Sequence, residues 1–337
     1  MLAFACAFTM FAGAAFTDSA DIKATEAVNM LTALGVIDGY EDGSFRPNGT
    51  VTRAQMAKMI FVVWNGGKSD AKAYQTMDSA FADTKDHWAR GYINFCASNN
   101  IIAGKSASTF APDATVTGQE AAKMLLTVIG YDQTKAGLVG SKWKQNTMSY
   151  AGMCGLFDDV DSSVETALPR QYAAQMIYNA LDTNRVKWST DSNAFDDVTS
   201  WNGHTFVKET VGEKYMGYKT ITGILVEANN GEGKGFTILP QNDDGSYTWD
   251  YTGSSNTLKN TWTESKYTTD LSKYLGEEVK VAYDTDEYAK NKASVFGVYA
   301  TDENVVVATT TNKVKDAKEI GKIKVNGDKY KVETNAK

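Results

Sequence analysis

The chain has 337 residues, 42% of them hydrophobic and 22% charged, with a formal net charge of −7. That composition describes a chain that folds, in two or three domains at about 150 residues each, and its acidity excludes the basic face that a nucleic-acid partner requires. Two histidines and three cysteines leave little material for zinc sites or for a Ser-His-Asp or Cys-His catalytic engine.

The opening run from Met1 to Ala15 carries no charge. It falls short of the roughly 20 apolar residues that a membrane helix needs. It reads instead as the apolar core of a secretory signal peptide, closed by the small residues Ala12-Gly13-Ala14. Residues 1–14 are therefore expected to be a signal peptide with a truncated basic leading segment, a buried N-terminal helix being the alternative. No later run is long or apolar enough to span a membrane. Beyond the signal, Cys96 and Cys154 remain; they are expected as buried free thiols, with one disulfide between repeats as the alternative.

An internal repeat organises the first half. At an offset of 65 residues Phe16 meets Phe81, Asp18 meets Asp83, Ile37 meets Ile102, Gly39 meets Gly104, Phe45 meets Phe110 and Pro47 meets Pro112. Val51-Thr52 then meets Val116-Thr117, and Ala57-Lys58-Met59 meets Ala122-Lys123-Met124. A more divergent third copy follows, in which Ala173-Ala174-Gln175-Met176 parallels Ala121-Ala122-Lys123-Met124. The copies are placed at 15–66, 79–131 and 140–185.

Each copy reads as helix, loop, helix. In the first, Ala24, Ala27, Val28, Leu31 and Leu34 recur at helical steps, Gly35 is a C-cap, and the loop Gly39 to Pro47 is dense in turn residues. The second helix starts at Thr52. A helix pair of this size has a face it cannot bury alone, so the copies must pack on one another in a single domain. Thr52-Arg53-Ala54-Gln55 and Thr117-Gly118-Gln119-Glu120 are capping boxes, which satisfy backbone donors that the first helical turn leaves free. The box also places Arg53 at the positive end of a helix, where an anion site can form. Arg170 aligns with Arg53 in the third copy, where Pro169 replaces the threonine cap. Gly118 takes the arginine's place in the second, so that copy is expected to bind anions weakly or not at all.

The run Gly39-Tyr40-Glu41-Asp42-Gly43-Ser44-Phe45-Arg46-Pro47-Asn48, followed by Val51-Thr52-Arg53-Ala54-Gln55, resembles the S-layer homology (SLH) repeat. Phe81-x-Asp83 and His87-Trp88-Ala89 resemble that repeat's opening. The resemblance covers residues 16 to 185. It implies an all-α, pseudo-threefold bundle of three repeats that holds an exported protein non-covalently on a bacterial cell wall. The implied ligand is a secondary cell-wall polysaccharide bearing ketal-linked pyruvate, a carboxylate that a guanidinium at a capped helix start pairs with well. Carried over residue by residue, the ligand site is expected to include Thr52, Arg53, Gln55, Gly39, Tyr40 and Asp42, with Asp83, Trp88 and Arg170 as further members. Trp88 is expected to serve the core in part, and His87 to be a helix-start residue. The first copy has Ile22-Lys23 where the second has His87-Trp88, and the second lacks both the arginine and the Asp-Gly turn. At most two of the three grooves are therefore expected to work.

After Val186 helical periodicity stops and Thr, Tyr, Val, Gly and Asn dominate. Residues 186–215 read as a linker. Strand-like runs at 220–228, 235–239, 247–251, 278–283 and 294–299 then imply a small barrel-like or sandwich-like β module over 216–310. Val305 to Ala308 is a further strand-like run, and 311–337 starts another β segment. Turns at Asn229-Asn230-Gly231 and Asp243-Asp244-Gly245 separate the strands. The acidic pairs Asp243-Asp244 and Glu277-Glu278 read as solvated surface, His204 is isolated, and Trp249, Tyr251, Trp262 and Tyr267 read as core or as sugar-stacking rings. The fold class is thus α+β, an all-α repeat domain followed by an all-β module. The expected function is non-enzymatic anchoring, with no metal and no cofactor, cell-wall polysaccharide and other surface-layer subunits as partners, and no membrane span. The alternative is a wall-anchored enzyme or adhesin acting through the β module.

Overall fold

The computed structural model describes residues 16–201, 205–228, 235–241, 261–262, 270–284, 295–301, 314–315, 322–325 and 328–331. The signal-peptide expectation lies outside these residues. So do the runs at 247–251 and 305–308, the turns at 229–231 and 243–245, and the side chains of His204, Trp249, Tyr251, Trp262 and Tyr267. The chain is α+β and divides into two compact units, residues 1–219 and 220–337.

The first unit is helical through residue 182. Its helices are α1 (Thr25–Ala33), α2 (Arg53–Trp64), α3 (Lys72–Gln75), α4 (Arg90–Ser98), α5 (Gly118–Ile129), α6 (Trp143–Met153) and α7 (Arg170–Asp182). The apolar stripes read from the sequence decide the packing, and the contacts form mainly between copies. The opening helix α4 packs on α2, α6 packs on α5, and α1 returns to pack on α7. The closing helices meet in the middle, where Ile60 and Val63 of α2, Leu125 and Val128 of α5, and Ile177 and Leu181 of α7 surround one small apolar space.

The loops ahead of the closing helices are joined by backbone alone. Val51 N–H donates to Leu168 O (3.0 Å), Leu168 N–H to Val116 O (2.9 Å), and Val116 N–H to Val51 O (2.9 Å), closing a ring of hydrogen bonds. The side chains of Val51, Val116 and Leu168 are buried around it. Outside the ring the same device recurs: Arg53 N–H donates to Ala114 O, Gln119 N–H to Val164 O, and Arg170 N–H to Gly49 O. Backbone donors that a helix start would leave free are thus satisfied by the neighbouring copy.

A second repeated device shapes the turns. The Asp18 carboxylate accepts from Phe45 N–H and Arg46 N–H, both at 2.8 Å. Asp83 accepts from Phe110 N–H (2.9 Å) and Ala111 N–H (2.7 Å). Arg46 and Ala111 both lie in the left-handed region with φ 58°, a conformation that costs a non-glycine residue about 1–2 kcal/mol. The carboxylate grip offsets that strain. Asp83, expected among the glycan ligands, thus clamps a turn in this structure.

Residues 186–215 differ from the linker expected for them. They form two hairpins, β1 (Val186–Ser189) with β2 (Ala194–Asp197) and β3 (Thr199–Trp201) with β4 (Phe206–Lys208), followed by helix α8 (Val211–Met216). Short strands interrupted by polar residues gave no clear period of two, and tertiary contacts supply what the pattern lacks. Phe195 sits 4.7 Å from the Tyr131 ring, and Tyr215 stacks on Trp64 at 4.3 Å. Gly130, at φ 120°, ends α5 where an added Cβ would lie 1.9 Å from Val186 O, so only glycine admits the first hairpin so close to the helix. Helix α8 packs on α2 and α7 with Val211 fully buried.

The second unit is strand-rich. Strands β5 (Tyr218–Glu227), β6 (Phe236–Pro240), β7 (Thr261–Trp262), β8 (Glu278–Asp284) and β9 (Val295–Ala300) form one sheet in the order β7-β6-β5-β8-β9. Leu225, Phe236, Ile238, Leu271, Val279, Val281, Tyr283 and Val298 make its core. Strands β10 (Val314–Lys315), β11 (Lys322–Val325) and β12 (Asp328–Lys331) form a separate antiparallel sheet.

The two turn clamps make stability acid-sensitive. Burial alone would raise the Asp18 and Asp83 carboxyls, but the backbone donors outweigh it and hold both below the ordinary aspartate value of 3.8. A lowered folded-state pKa contributes stability above 3.8 that is lost as pH falls through the lower, folded-state value. Asp83→Ala is expected to cost about 1–2 kcal/mol at pH 7 and to flatten the decline below pH 4, both read from urea denaturation at several pH values. An unchanged acid limb would show that the clamp is energetically silent.

Candidate functional site

The capping boxes form as the sequence implies. Thr52 Oγ1 accepts from Gln55 N–H while Gln55 Oε1 accepts from Thr52 N–H, and Thr117 and Glu120 repeat the exchange. Pro169 gives α7 no side-chain cap. The boxes fix where α2 and α5 start, and backbone bonds from Arg53, Gln119 and Arg170 tie all three closing-helix starts to neighbouring loops.

Arg53 is the first residue of α2, and it is buried, with 3% of its surface exposed. Its Nε donates to Phe110 O (2.9 Å), its Nη2 donates to Ala103 O (2.8 Å), and its guanidinium lies 4.4 Å from the centre of the Phe110 ring. Glu120 Oε1 stands 3.9 Å from Nη1. Burial is the largest influence on this guanidinium and lowers its pKa, while Glu120 and Asp83 act the other way. The expected anchor for the ligand is thus committed to the joint between copies one and two.

Arg170 repeats this arrangement against the first copy, with one difference. Its Nη2 donates to Asp38 O (2.7 Å), and its guanidinium lies 5.1 Å from the centres of the Tyr40 and Phe45 rings. Asp38 and Phe45 are the positions that correspond to Ala103 and Phe110. Arg170 makes no ion pair among the described residues, the Asp38 carboxylate only opposing at longer range the lowering of its pKa by burial, and its buried Nε has no hydrogen-bond partner. A guanidinium nitrogen in this state presents a donor with nothing to accept from it.

Arg170 borders a cleft of about 190 Å³. Its walls are the loop Val36 to Tyr40, the α2 residues Gln55, Lys58 and Met59, the indole of Trp88 and the guanidinium of Arg170. The cleft combines two cations, the acidic residue Asp38, two aromatic rings, one amide and an apolar floor. Lys58 has no ion-pair or hydrogen-bond partner among the described residues.

The corresponding residues of the second copy behave differently. Tyr40 corresponds to Lys105, Gln55 to Glu120 and Lys58 to Lys123. Glu120 pairs with Lys105 and stands beside Arg53. Burial pulls its carboxyl upward, but Lys105 and the Thr117 N–H prevail and lower it below the ordinary glutamate value. The second groove therefore already holds an anion of its own, whereas Gln55 makes the same capping bond without a charge. At the start of α5, a side chain on Gly118 would bring its Cβ to 2.9 Å from Val164 Cα, so no arginine fits there.

Of the residues the sequence pointed to, the cleft brings together Gly39, Tyr40, Gln55, Trp88 and Arg170. Thr52 is a cap, Arg53 is a buried joint and Asp83 is a turn clamp. Asp42 holds its own turn, accepting from Ser44 N–H (3.0 Å) and pairing with Arg46 (2.9 Å). Trp88, expected to serve the core in part, is 53% exposed. Its place just before α4, in a loop that Ala89 N–H fixes through a bond to His87 Nδ1 (3.1 Å), turns the indole outward. Lys58, Met59 and Asp38 were not singled out. Lys58-Met59 recurs as Lys123-Met124, and that shared dipeptide, starting six residues beyond the cap, was the available signal. Cys96 is buried and Cys154 half-buried, both as free thiols. Among the described residues no cluster of acidic, histidine or cysteine side chains could hold a metal, and no helix is long and apolar enough to cross a membrane.

Residues 15–57 and 80–122 match the S-layer homology domain model. The chain is also 27% identical over 200 residues to the Middle cell wall protein of Brevibacillus brevis, a match that covers 58% of this chain and 17% of that protein. It is 28% identical over 178 residues to the Surface layer protein of Brevibacillus choshinensis, covering 51% of this chain and 15% of the relative. A third relative is named Exoglucanase XynX, from Acetivibrio thermocellus, 24% identical over 182 residues, with 50% of this chain and 16% of that protein covered. The chain thus spans less than a fifth of the length of these relatives. The matches place it at the cell surface, with two segments that match the S-layer homology domain.

Two arginines in equivalent positions should respond differently to truncation. Arg53→Ala leaves Phe110 O and Ala103 O without their donor and removes one of the two cations beside Glu120, and is expected to cost about 3 kcal/mol in urea denaturation. Arg170→Ala, which loses a single carbonyl bond, is expected to cost about 1–2 kcal/mol. Equal costs would contradict the assignment of Arg53 to structure and Arg170 to the cleft.

Proposed function

We propose that this chain anchors an exported protein non-covalently to the cell wall by holding an acidic wall polysaccharide in the cleft between Tyr40, Gln55, Lys58, Trp88 and Arg170. The observation that carries this reading is the pair of cations, Lys58 and Arg170, neither held in an ion pair among the described residues, on one cleft that also presents aromatic and apolar walls. A ketal-linked pyruvate presents one carboxylate and one methyl group. The Arg170 guanidinium and Lys58 Nζ suit the carboxylate, and Met59, Val36 and Ile37 suit the methyl. The rings of Tyr40 and Trp88 suit the C–H faces of the sugar that carries the ketal.

In this reading α6 and α7 are the third repeat, and the ring through Val51, Leu168 and Val116 is the hub of a pseudo-threefold bundle. Support comes from Arg53 and Arg170, which make the same carbonyl and ring contacts on successive copies. One groove is open to an anion, and the second is closed to it by Glu120. The strand-rich unit serves as spacer, lattice or adhesion module, and other surface-layer subunits are its partners. Anchoring needs no catalytic step. The similarity to a chain named as an exoglucanase favours a second reading, in which this segment belongs to a wall-bound glycan hydrolase. Release of reducing sugar from wall polysaccharide by the full chain would support that reading over the first.

Retention on purified cell walls tests the anchor. The full chain is expected to bind walls that keep their pyruvate and to be lost from walls stripped of it. Arg170→Ala should weaken binding about ten-fold or more, as expected for one charge-assisted hydrogen bond of about 1.5–3 kcal/mol. Gln55→Glu should weaken it as strongly while leaving the capping box intact, because it places a carboxylate where Glu120 stands in the second copy. Equal retention on both kinds of wall would overturn the anionic reading.

A further inference from the structure

Trp88 borders two clefts. On one side is the cleft of Arg170 and Lys58. On the other is a second depression of about 430 Å³, whose rim includes Ser69, Asp70, Lys72, Gln75 and Tyr92. An indole left 53% exposed, with a cleft on each side, has the character of a stacking platform. Its ring contacts are the His87 ring at 5.4 Å and the Tyr92 ring at 6.2 Å.

The second cleft is built by the segment that joins the first two copies, and that segment is firmly held. Buried Asn94 of α4 donates to Tyr74 O (3.0 Å) and accepts from Ala80 N–H (3.2 Å). Tyr92 Oη donates to Ser69 O (2.7 Å), and Arg90 Nη2 donates to Met77 O (2.7 Å). Tyr74 packs against Phe61 and Phe95 at 5.9 and 5.0 Å. Gly91 lets α4 approach so closely that an added Cβ would lie 2.6 Å from Ala71 O. Above this scaffold, the ends of the exposed Lys72 and Gln75 side chains make no hydrogen bond or ion pair among the described residues. Asp70 orders the start of α3 with one oxygen, accepting from Lys72 N–H at 3.0 Å. An ammonium, an amide and a carboxylate beside two aromatic rings match the hydroxyls and C–H face of a sugar rather than a second anion.

We propose that this cleft is a second sugar subsite, and that the wall polysaccharide crosses Trp88 from the Arg170 cleft to lie between Lys72, Gln75 and Tyr92. The first cleft, with a volume that about six waters would fill, accommodates a single substituted sugar. The second receives the uncharged, hydroxyl-bearing sugars next to it in the same polymer. Trp88 then touches both, so binding at one cleft raises the effective concentration of polymer at the other. This inference rests on the wall-polysaccharide reading above.

The test compares fragment lengths on the full chain. Pyruvylated wall polysaccharide is partly hydrolysed and size-fractionated into single repeat units and longer oligosaccharides, and each fraction is titrated calorimetrically. The unmodified chain is expected to bind the long fraction about ten-fold more tightly than the short one. Lys72→Ala combined with Gln75→Ala, both at exposed positions, should abolish that gain and leave short-fragment affinity unchanged. Trp88→Ala should weaken binding of both fractions. Two results would overturn the second subsite: a double variant that keeps the full length-dependent gain, or an unmodified chain whose affinity is independent of length. Binding of neither fraction would instead remove the polysaccharide reading itself, and the subsite with it.

Discussion

Three backbone hydrogen bonds, linking Val51, Leu168 and Val116 in a ring, hold the loops that precede the closing helices. They depend on no side-chain chemistry, so the copies can diverge around them. They also fix where α2, α5 and α7 begin, and everything at the inter-copy joints follows from those starting points. The first helical residue of each copy is delivered to the loop of a neighbour. In two of the three cases that residue is an arginine, and its guanidinium meets a backbone carbonyl and a phenylalanine ring.

Charge compensation then separates equivalent positions. A buried guanidinium needs partners, because removing it from water costs several kcal/mol when none are supplied. Arg53 has two carbonyls, a ring and a nearby carboxylate. Arg170 has one carbonyl, two rings and a nitrogen with nothing to receive its hydrogen. The exchange of a glutamate for a glutamine at the third helical position makes that difference. Both side chains complete a capping box, since either offers an oxygen to the threonine N–H. Glu120 also neutralises its surroundings, whereas Gln55 adds no charge beside Lys58 and Arg170 on the same cleft. Local helix chemistry and groove electrostatics are thus set by one side chain, and only the first is the same in both copies.

Much of the helical unit was legible in the sequence. The offset repeat, the capping boxes and the apolar stripes all report local geometry, and they gave helix starts and buried faces that the structure reproduces. Residues 186–215 were not legible, because short hairpins with mixed polarity have no strong period. What orders them lies far away in sequence: Tyr131 against Phe195, Trp64 against Tyr215, and the space that Gly130 leaves for Val186. The site was half legible. Gly39, Tyr40, Gln55, Trp88 and Arg170, which the sequence points to, line one cleft, whereas Lys58 stands out in the sequence only as part of a repeat and Arg53 is buried between the first two copies.

The sequence by itself determined that the first half is built from capped helix pairs, that arginines stand at two of the helix starts, and that a strand-rich region follows. These are properties of residues close together in the chain, where spacing and turn chemistry act directly. Only the tertiary structure decided which arginine keeps a free donor, which tryptophan faces water, and which groove is already filled by its own carboxylate. Exposure and charge compensation are set by neighbours that the fold brings from other copies, 50 to 132 positions away in the contacts of Arg53 and Arg170, and no local pattern encodes them.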